Sequence, residues 1–235
     1  MNRLTPGPTL IARAYDSILA AICDGRLPPG TRLNQDQLAD RMHVSRQPVG
    51  QALTILKSQG FVRDNGRRGV IITPIEREFF RAVYQLREAL DPMAARLASQ
   101  SCTREESAAG RRLLSAGRRA AKAKDISGVI AADVNFHAWI YQVAGNPLLV
   151  ETMGLYWNHL RRAMGEVLRR PSSRSQIWDE HQGVLKAIVE HDAGKAARLS
   201  LAHVRDAAQR IVESIPAGSG ESGSSLARIG LAAVR

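Results

Sequence analysis

The sequence predicts a mainly α-helical protein, with an N-terminal winged helix-turn-helix and a C-terminal all-helical bundle. Three observations carry this. Residues 33–73 pair two short helical patterns across a tight turn and close on a glycine-tipped basic hairpin. Strand patterns then stop near Thr73-Pro74. From residue 78 to 215, apolar residues recur at helical spacing between well-marked breakers.

The first domain is expected over 9–74. Leu10 to Cys23 is a helix, with Ile11, Ala14, Tyr15, Ile18, Leu19 and Ile22 on one side and Gly25 at its end. Pro28-Pro29-Gly30 turns the chain. Asn34, with Gln37 three residues on, has the form of a capping box for the next helix, whose apolar side is Leu38, Ala39 and Met42. His43-Val44 makes the connection. Ser45 caps the following helix, and Pro48 sits in its first turn, where a missing N–H is tolerated. Val49, Ala52, Leu53 and Leu56 form its inner stripe. Gly60 ends it, Phe61-Val62 starts a strand, Asn65-Gly66 makes the hairpin turn, and Val70-Ile71-Ile72 returns.

The bundle is expected over 78–215. One helix runs from about Glu78 to Ser99, with Phe79, Val83, Leu86, Leu90, Met93, Ala94 and Leu97 inward and a kink at Pro92. Thr103 and Glu106 form a second capping box, opening a helix to about Lys124. Helices follow over about 125–143, from Pro147 to about Arg169, over 175–191 and over 193–215. The Gly- and Ser-rich stretch 216–235 is expected to be a disordered tail.

The outer face of the second helix in the winged motif is Arg46, Gln47, Gly50, Gln51, Thr54 and Lys57. This face is short, polar and rich in hydrogen-bonding groups. It suits a helix lying in the major groove of double-stranded DNA, with its N-terminal residues nearest the bases. Arg46, Gln47, Gln51 and Thr54 are therefore the candidate base or nearby phosphate contacts. Lys57 and the wing residues Arg63, Gly66, Arg67 and Arg68 are candidate phosphate contacts.

Charge agrees without locating the site. Net charge is +11 and the pI is near 10.6, but the positive balance holds in both halves of the chain. The two cysteines, Cys23 and Cys102, form no disulfide framework or zinc finger and fit a reducing cytoplasm. No apolar run is long enough for a membrane span, and no signal-peptide core precedes the first helix.

Four bundle residues stand out. Asp133 and His137 are i and i+4 on one helix face, and His181 and His203 fall on the last two helices. Spacing leaves two readings open: packed, hydrogen-bonded side chains, or a divalent metal site (Zn, Ni or Mn) with one carboxylate and three imidazoles. His159 and His191 are expected to face water. Arg87, Asn158, Arg161 and Arg162 either form surface contacts or point inward to meet a ligand anion.

These residues resemble the GntR family of bacterial transcription regulators, in its FadR-type subgroup with an FCD effector domain. VSRQPVGQALTILKSQGFV is similar to the family's recognition segment, which commonly reads LSRTPVREALRRLEAEGLV, and RRGVIIT to its wing. YQLREALDPMAARLA, DVNFHAWIYQVAGNPLL, the EHQGVLKAI segment and His203 resemble the FCD blocks. The resemblance implies a homodimer on a near-palindromic operator. It implies a metal held by Asp133, His137, His181 and His203, and a small organic acid or related metabolite meeting the metal and Arg87.

One departure is Gly50, where the family commonly has an arginine that contacts the operator. It points to altered operator reading that leans on Arg46, Gln47 and Gln51. The expectation is a cytoplasmic, ligand-responsive transcription regulator, a repressor and not an enzyme. Its rivals are a metal-dependent enzyme using the Asp/His set and an architectural DNA-binding protein without effector.

Overall fold

The computed structural model describes residues 8–66, 69–167 and 171–215. The chain forms two compact units, 1–75 and 76–217 within those bounds. The tail expected from 216 and the wing residues Arg67 and Arg68 lie outside the described residues.

The first unit holds α1 (Leu10–Cys23), β1 (Arg32–Leu33), α2 (Gln35–Met42), α3 (Arg46–Ser58), β2 (Val62–Asp64) and β3 (Val70–Ile72). Thr9 caps α1 through its side chain, and the Asn34 side chain accepts from the Asp36 and Gln37 amides to start α2. His43 ends α2 in the left-handed region (φ 53°), which frees the chain to turn into α3. Ser45 stands at the α3 N-cap without the side-chain bond its type suggests. The sequence gives no signal for β1, only two residues long. It pairs antiparallel with β3, Arg32 opposite Ile71, and makes the sheet three-stranded in the order β1-β3-β2. Ile18, Ile22, Leu33, Val49, Leu56, Phe61 and Ile72 fill the core, so the inner stripe of α3 packs as its spacing requires.

The second unit is helical: α4 (Arg77–Ser101), α5 (Arg104–Lys122), α6 (Ile126–Val143), α7 (Pro147–Gly154), α8 (Trp157–Val167), α9 (Pro171–Val189) and α10 (Ala193–Ser214). The Thr103/Glu106 capping box is formed on α5. Three expectations are corrected. The single helix expected after Pro147 is two, because Leu155-Tyr156 interrupts it. The helix expected over 175–191 is α9, which is described from Pro171, a residue tolerated in a helix's first turn. On α4, Phe79, Val83 and Ala94 are buried as expected, but the buried face is rotated to take in Phe80, Tyr84, Arg87, Asp91, Ala95 and Ala98, while Leu86, Leu90, Met93 and Leu97 are only half-buried. That rotation carries Arg87 and Asp91 into the bundle.

Close helix approach depends on small residues. On α5, a Cβ at Gly117 would meet the Trp178 ring at 2.0 Å, and one at Gly110 would meet Trp139 and Leu185 at 2.7 Å. These two glycines, two turns apart, let α5 lie against α6 and α9. Among the described residues no helix is long and apolar enough to cross a membrane.

Candidate functional site

In the bundle, α6 supplies Asp133 and His137, α9 supplies His181 and α10 supplies His203, all buried. His203 Nε2 lies 3.2 Å from His181 Nε2 and 3.3 Å from His137 Nε2. Asp133 stands at the edge of this group, with Oδ1 3.4 Å from His181 Nε2 and Oδ2 4.0 Å from His137 Nε2. The three imidazoles form a group whose ligand atoms all lie within 4.8 Å of one another.

The protonation states fit cation binding. Burial, then the nearby Arg87 and the other imidazoles, holds His137 well below the ordinary histidine range. Burial, then His203 and Arg87, does the same to His181. Both are held neutral; Arg87 donates toward the His137 ring, 3.2 Å from Nε2 and 3.3 Å from Nδ1, so a cation would have to displace that contact. A cation about 2.0–2.1 Å from each nitrogen separates neighbouring ligand atoms by about 3.0–3.4 Å, and the two Nε2 separations from His203 fall in that range. Burial pushes the Asp133 carboxyl up to about 6, partly offset by His203 and Arg87. A cation would offset that burial. His181 Nδ1 is buried with no hydrogen-bond partner among the described residues.

A second layer orients His203. Its Nδ1 donates to Glu180 Oε2 at 2.7 Å, and Arg210 grips both oxygens of Glu180 at 3.0 and 2.9 Å. Burial pushes the Glu180 carboxyl up, but the bonds from His203 and Arg210 overcome it and hold the group at about 2. Glu180 is therefore a carboxylate, and it accepts the Nδ1–H of His203.

Arg87 sits beside this centre. Its Nε and one terminal nitrogen donate to Asp91 Oδ2 at 3.2 and 2.8 Å. The Tyr141 hydroxyl makes a short bond to the other Asp91 oxygen. The guanidinium lies over the rings of Tyr84 and Trp157, at 5.2 and 5.7 Å from their centroids. Burial opposes its charge, but Asp91 outweighs that and holds Arg87 protonated. The anion a buried Arg87 requires is therefore supplied from within the chain.

A cavity of about 360 Å³, counting its open mouth, joins these groups. Arg87, Asp133, His137, His203 and Arg210 line its polar side; Tyr84, Met164, Ile177, Ala207 and Ile211 line the rest. Asn158, Arg161 and Arg162 lie on α8 and are not among the lining residues. His159, expected to face water, is buried against Phe79 with ring centroids 4.9 Å apart. His191 is exposed, but its Nδ1 bonds the Ser99 carbonyl at 2.7 Å.

Three residues missed from the sequence complete the site. Glu180 precedes a candidate ligand. Arg210 lies two turns beyond His203, and Asp91 one turn beyond Arg87, so helical spacing alone could have drawn the last two in.

In the first unit the polar face of α3 is exposed. Arg46, Gln47 and Gln51 are all at the surface. Arg46 Nε meets Asp36 at 2.8 Å. Thr54 donates its hydroxyl to the Gly50 carbonyl at 3.0 Å, and Lys57 Nζ pairs with Asp64 at 2.5 Å. Arg63 lies half-buried on β2, and Gly66 tips the hairpin with φ 60°.

The comparisons agree with both units. Residues 10–72 match the model of the bacterial regulatory proteins of the gntR family, and residues 82–206 match the FCD domain. The chain is similar to the Nta operon transcriptional regulator of Aminobacter aminovorans, 28% identical over 198 residues, covering 80% of this chain and 87% of that one. It is similar to the HTH-type transcriptional repressor RspR of Escherichia coli K12, 22% identical over 210 residues, covering 89% and 92%. The solved structure of E. coli McbR/YncC shares the fold, with a TM-score of 0.77 at 19% identity, covering 88% of this chain and 99% of that one. Shown by matches to both units, the chain belongs to the gntR family of bacterial regulatory proteins, carries an FCD domain, and is a DNA-binding transcription regulator, not an enzyme.

Proposed function

We propose that this regulator is a homodimeric repressor whose bundle holds one divalent metal (Zn, Ni or Mn) and senses a small organic acid or related metabolite. The observation that carries this is the cluster of three buried imidazoles and Asp133, of which Asp133, His137 and His203 line a cavity together with Arg87 and Arg210. Asp133, His137, His181 and His203 would hold the metal, which supplies a Lewis-acid anchor for a ligand carboxylate or hydroxyl. Glu180 and Arg210 hold His203 in the tautomer that presents Nε2. Arg87, fixed by Asp91 and Tyr141, gives the ligand a positively charged neighbour. Asn158, Arg161 and Arg162 have no part in this reading.

On the output side, Arg46, Gln47 and Gln51 contact bases of a near-palindromic duplex operator. Thr54 contributes through its remaining acceptor. Lys57, Arg63, Gly66, Arg67 and Arg68 meet phosphates. Repression is proposed from the likeness to RspR, a transcriptional repressor. Ligand acts by differential affinity for two dimer geometries.

The test is a thermal-shift screen of small carboxylates on the full chain, with and without chelator, beside metal analysis and sedimentation. One metal per chain, a dimer, and a carboxylate shift abolished by chelator support the proposal. A metal-free protein with no ligand-induced shift would favour the architectural alternative.

A further inference from the structure

α3 carries a glycine in its interior that its backbone does not require. Gly50 is helical and not in the left-handed region. Glycine there weakens the helix by up to about 1 kcal/mol relative to alanine. What stands over the position is the end of an exposed side chain from α2, which a side chain at 50 would displace. A Cβ on Gly50 would stand 2.7 Å from Gln35 Nε2. That amide, from the first turn of α2, lies over the helix and donates to the Arg46 carbonyl at 2.6 Å. The next residue, Asp36, holds the Arg46 guanidinium at 2.8 Å. Two adjacent α2 residues therefore meet Arg46, Gln35 at its carbonyl and Asp36 at its exposed side chain. The Gln35 side chain makes no other hydrogen bond among the described residues, so its oxygen and second amide hydrogen remain available at an exposed position.

We infer that Gln35 and Gly50 are one specificity-determining unit. Gln35 occupies the space where a side chain at 50 would begin, presents an amide beside the first turn of α3, and positions Arg46. This rests on α3 being the operator-reading helix.

The experiment selects binding sites from a randomised duplex library with the full-length chain, Gln35→Ala, Gly50→Ala and the double variant. Affinities are then measured on the duplex the wild type selects. Each single change is expected to weaken binding by about 5-fold or more, the double no further than the weaker single, because both remove the same amide from the same place. Both singles should also lose preference at the same base pair of each half-site. The thermal midpoint of Gly50→Ala should stay or rise, separating loss of contact from unfolding. If that variant fails to fold, Gln35→Glu serves: it keeps the length over Gly50 but cannot donate to the Arg46 carbonyl, so reduced affinity and a changed selected site are expected. Losses that multiply in the double variant, or wild-type affinity and site for Gln35→Glu, would overturn the coupling. A wild-type chain that enriched no duplex would sink the α3 assignment and this inference with it.

Discussion

Glu180 accepts the Nδ1–H of His203 at 2.7 Å, and this contact fixes which nitrogen of His203 faces His137 and His181. The carboxylate is itself locked by Arg210. Partners of this kind raise ligand basicity and hold the ring in place. Glu180→Gln should therefore lower metal affinity by about 10- to 100-fold with the bundle still folded. Competition titration of zinc against a chelator measures it. Equal affinity in the two proteins would count against an orienting role for Glu180.

Metal binding should weaken as pH falls through about 6, the value to which burial raises Asp133. Below it the carboxyl holds a proton that the cation must displace. His137 and His181 do not set this window, since both are held well below the ordinary histidine value. The sign for the metal-free bundle is opposite to that of a salt-bridged aspartate. The folded carboxyl binds its proton more tightly than the unfolded one, whose ordinary value is 3.8. The Asp133 contribution to stability is therefore greatest below about 4 and declines up to about 6. Isothermal titration with zinc from pH 7 to pH 5 should show the decline, and a shallower one in Asp133→Asn. An equally steep profile in that variant would refute the assignment.

Gly117→Ala should destabilise the bundle, although alanine is the better helix former. The new methyl would overlap the buried Trp178 ring, which packs 4.9 Å from the His181 ring. Overpacking of this kind costs about 1–3 kcal/mol. Urea unfolding reads the loss, and a parallel fall in zinc affinity would show that the shift reaches His181. An unchanged midpoint would mean that α5 and α9 can separate freely.

At the DNA end, Arg46→Ala should cost about 1–3 kcal/mol of operator affinity and relax base preference. Its exposed pair with Asp36 contributes at most about 1 kcal/mol and gives way readily. Arg63→Ala should instead weaken all duplexes alike and reduce the salt slope by about 1. Gel shifts across a salt series distinguish the two. Identical profiles for both variants would contradict the division between base and phosphate contacts.

Local chemistry made much of this legible from the residues in order. Asn34, Thr103 and Gly60 mark helix ends by their own side chains or lack of one, and the stripe from Val49 to Leu56 has one way to be buried. Asp133 and His137 share a face because four residues make about one turn. What failed was orientation. Leu86, Leu90, Met93 and Leu97 look like the inner face of α4 by hydrophobicity, yet the ion-paired Arg87 and Asp91 are buried more deeply. A charge pair that satisfies itself within one helix is invisible to a hydrophobic pattern. The expectation that His159 faces water failed for a related reason: its neighbour Phe79 lies eighty residues earlier.

The sequence by itself determined most of the elements and their order, though neither β1 nor the break between α7 and α8, and with them the polar face of α3 and the shared helix face of Asp133 and His137. These follow from short-range rules of capping, turn chemistry and helical period. Only the tertiary structure decided that His203 meets both His137 and His181 within hydrogen-bonding distance, that Glu180 and Arg210 stand behind His203, that Asp91 pairs with the buried Arg87, and that Gln35 fills the space above Gly50. Each of these depends on how helices rotate and approach one another. That is set by close packing of residues such as Gly117 and Trp178, far apart in the chain, and no local rule contains it.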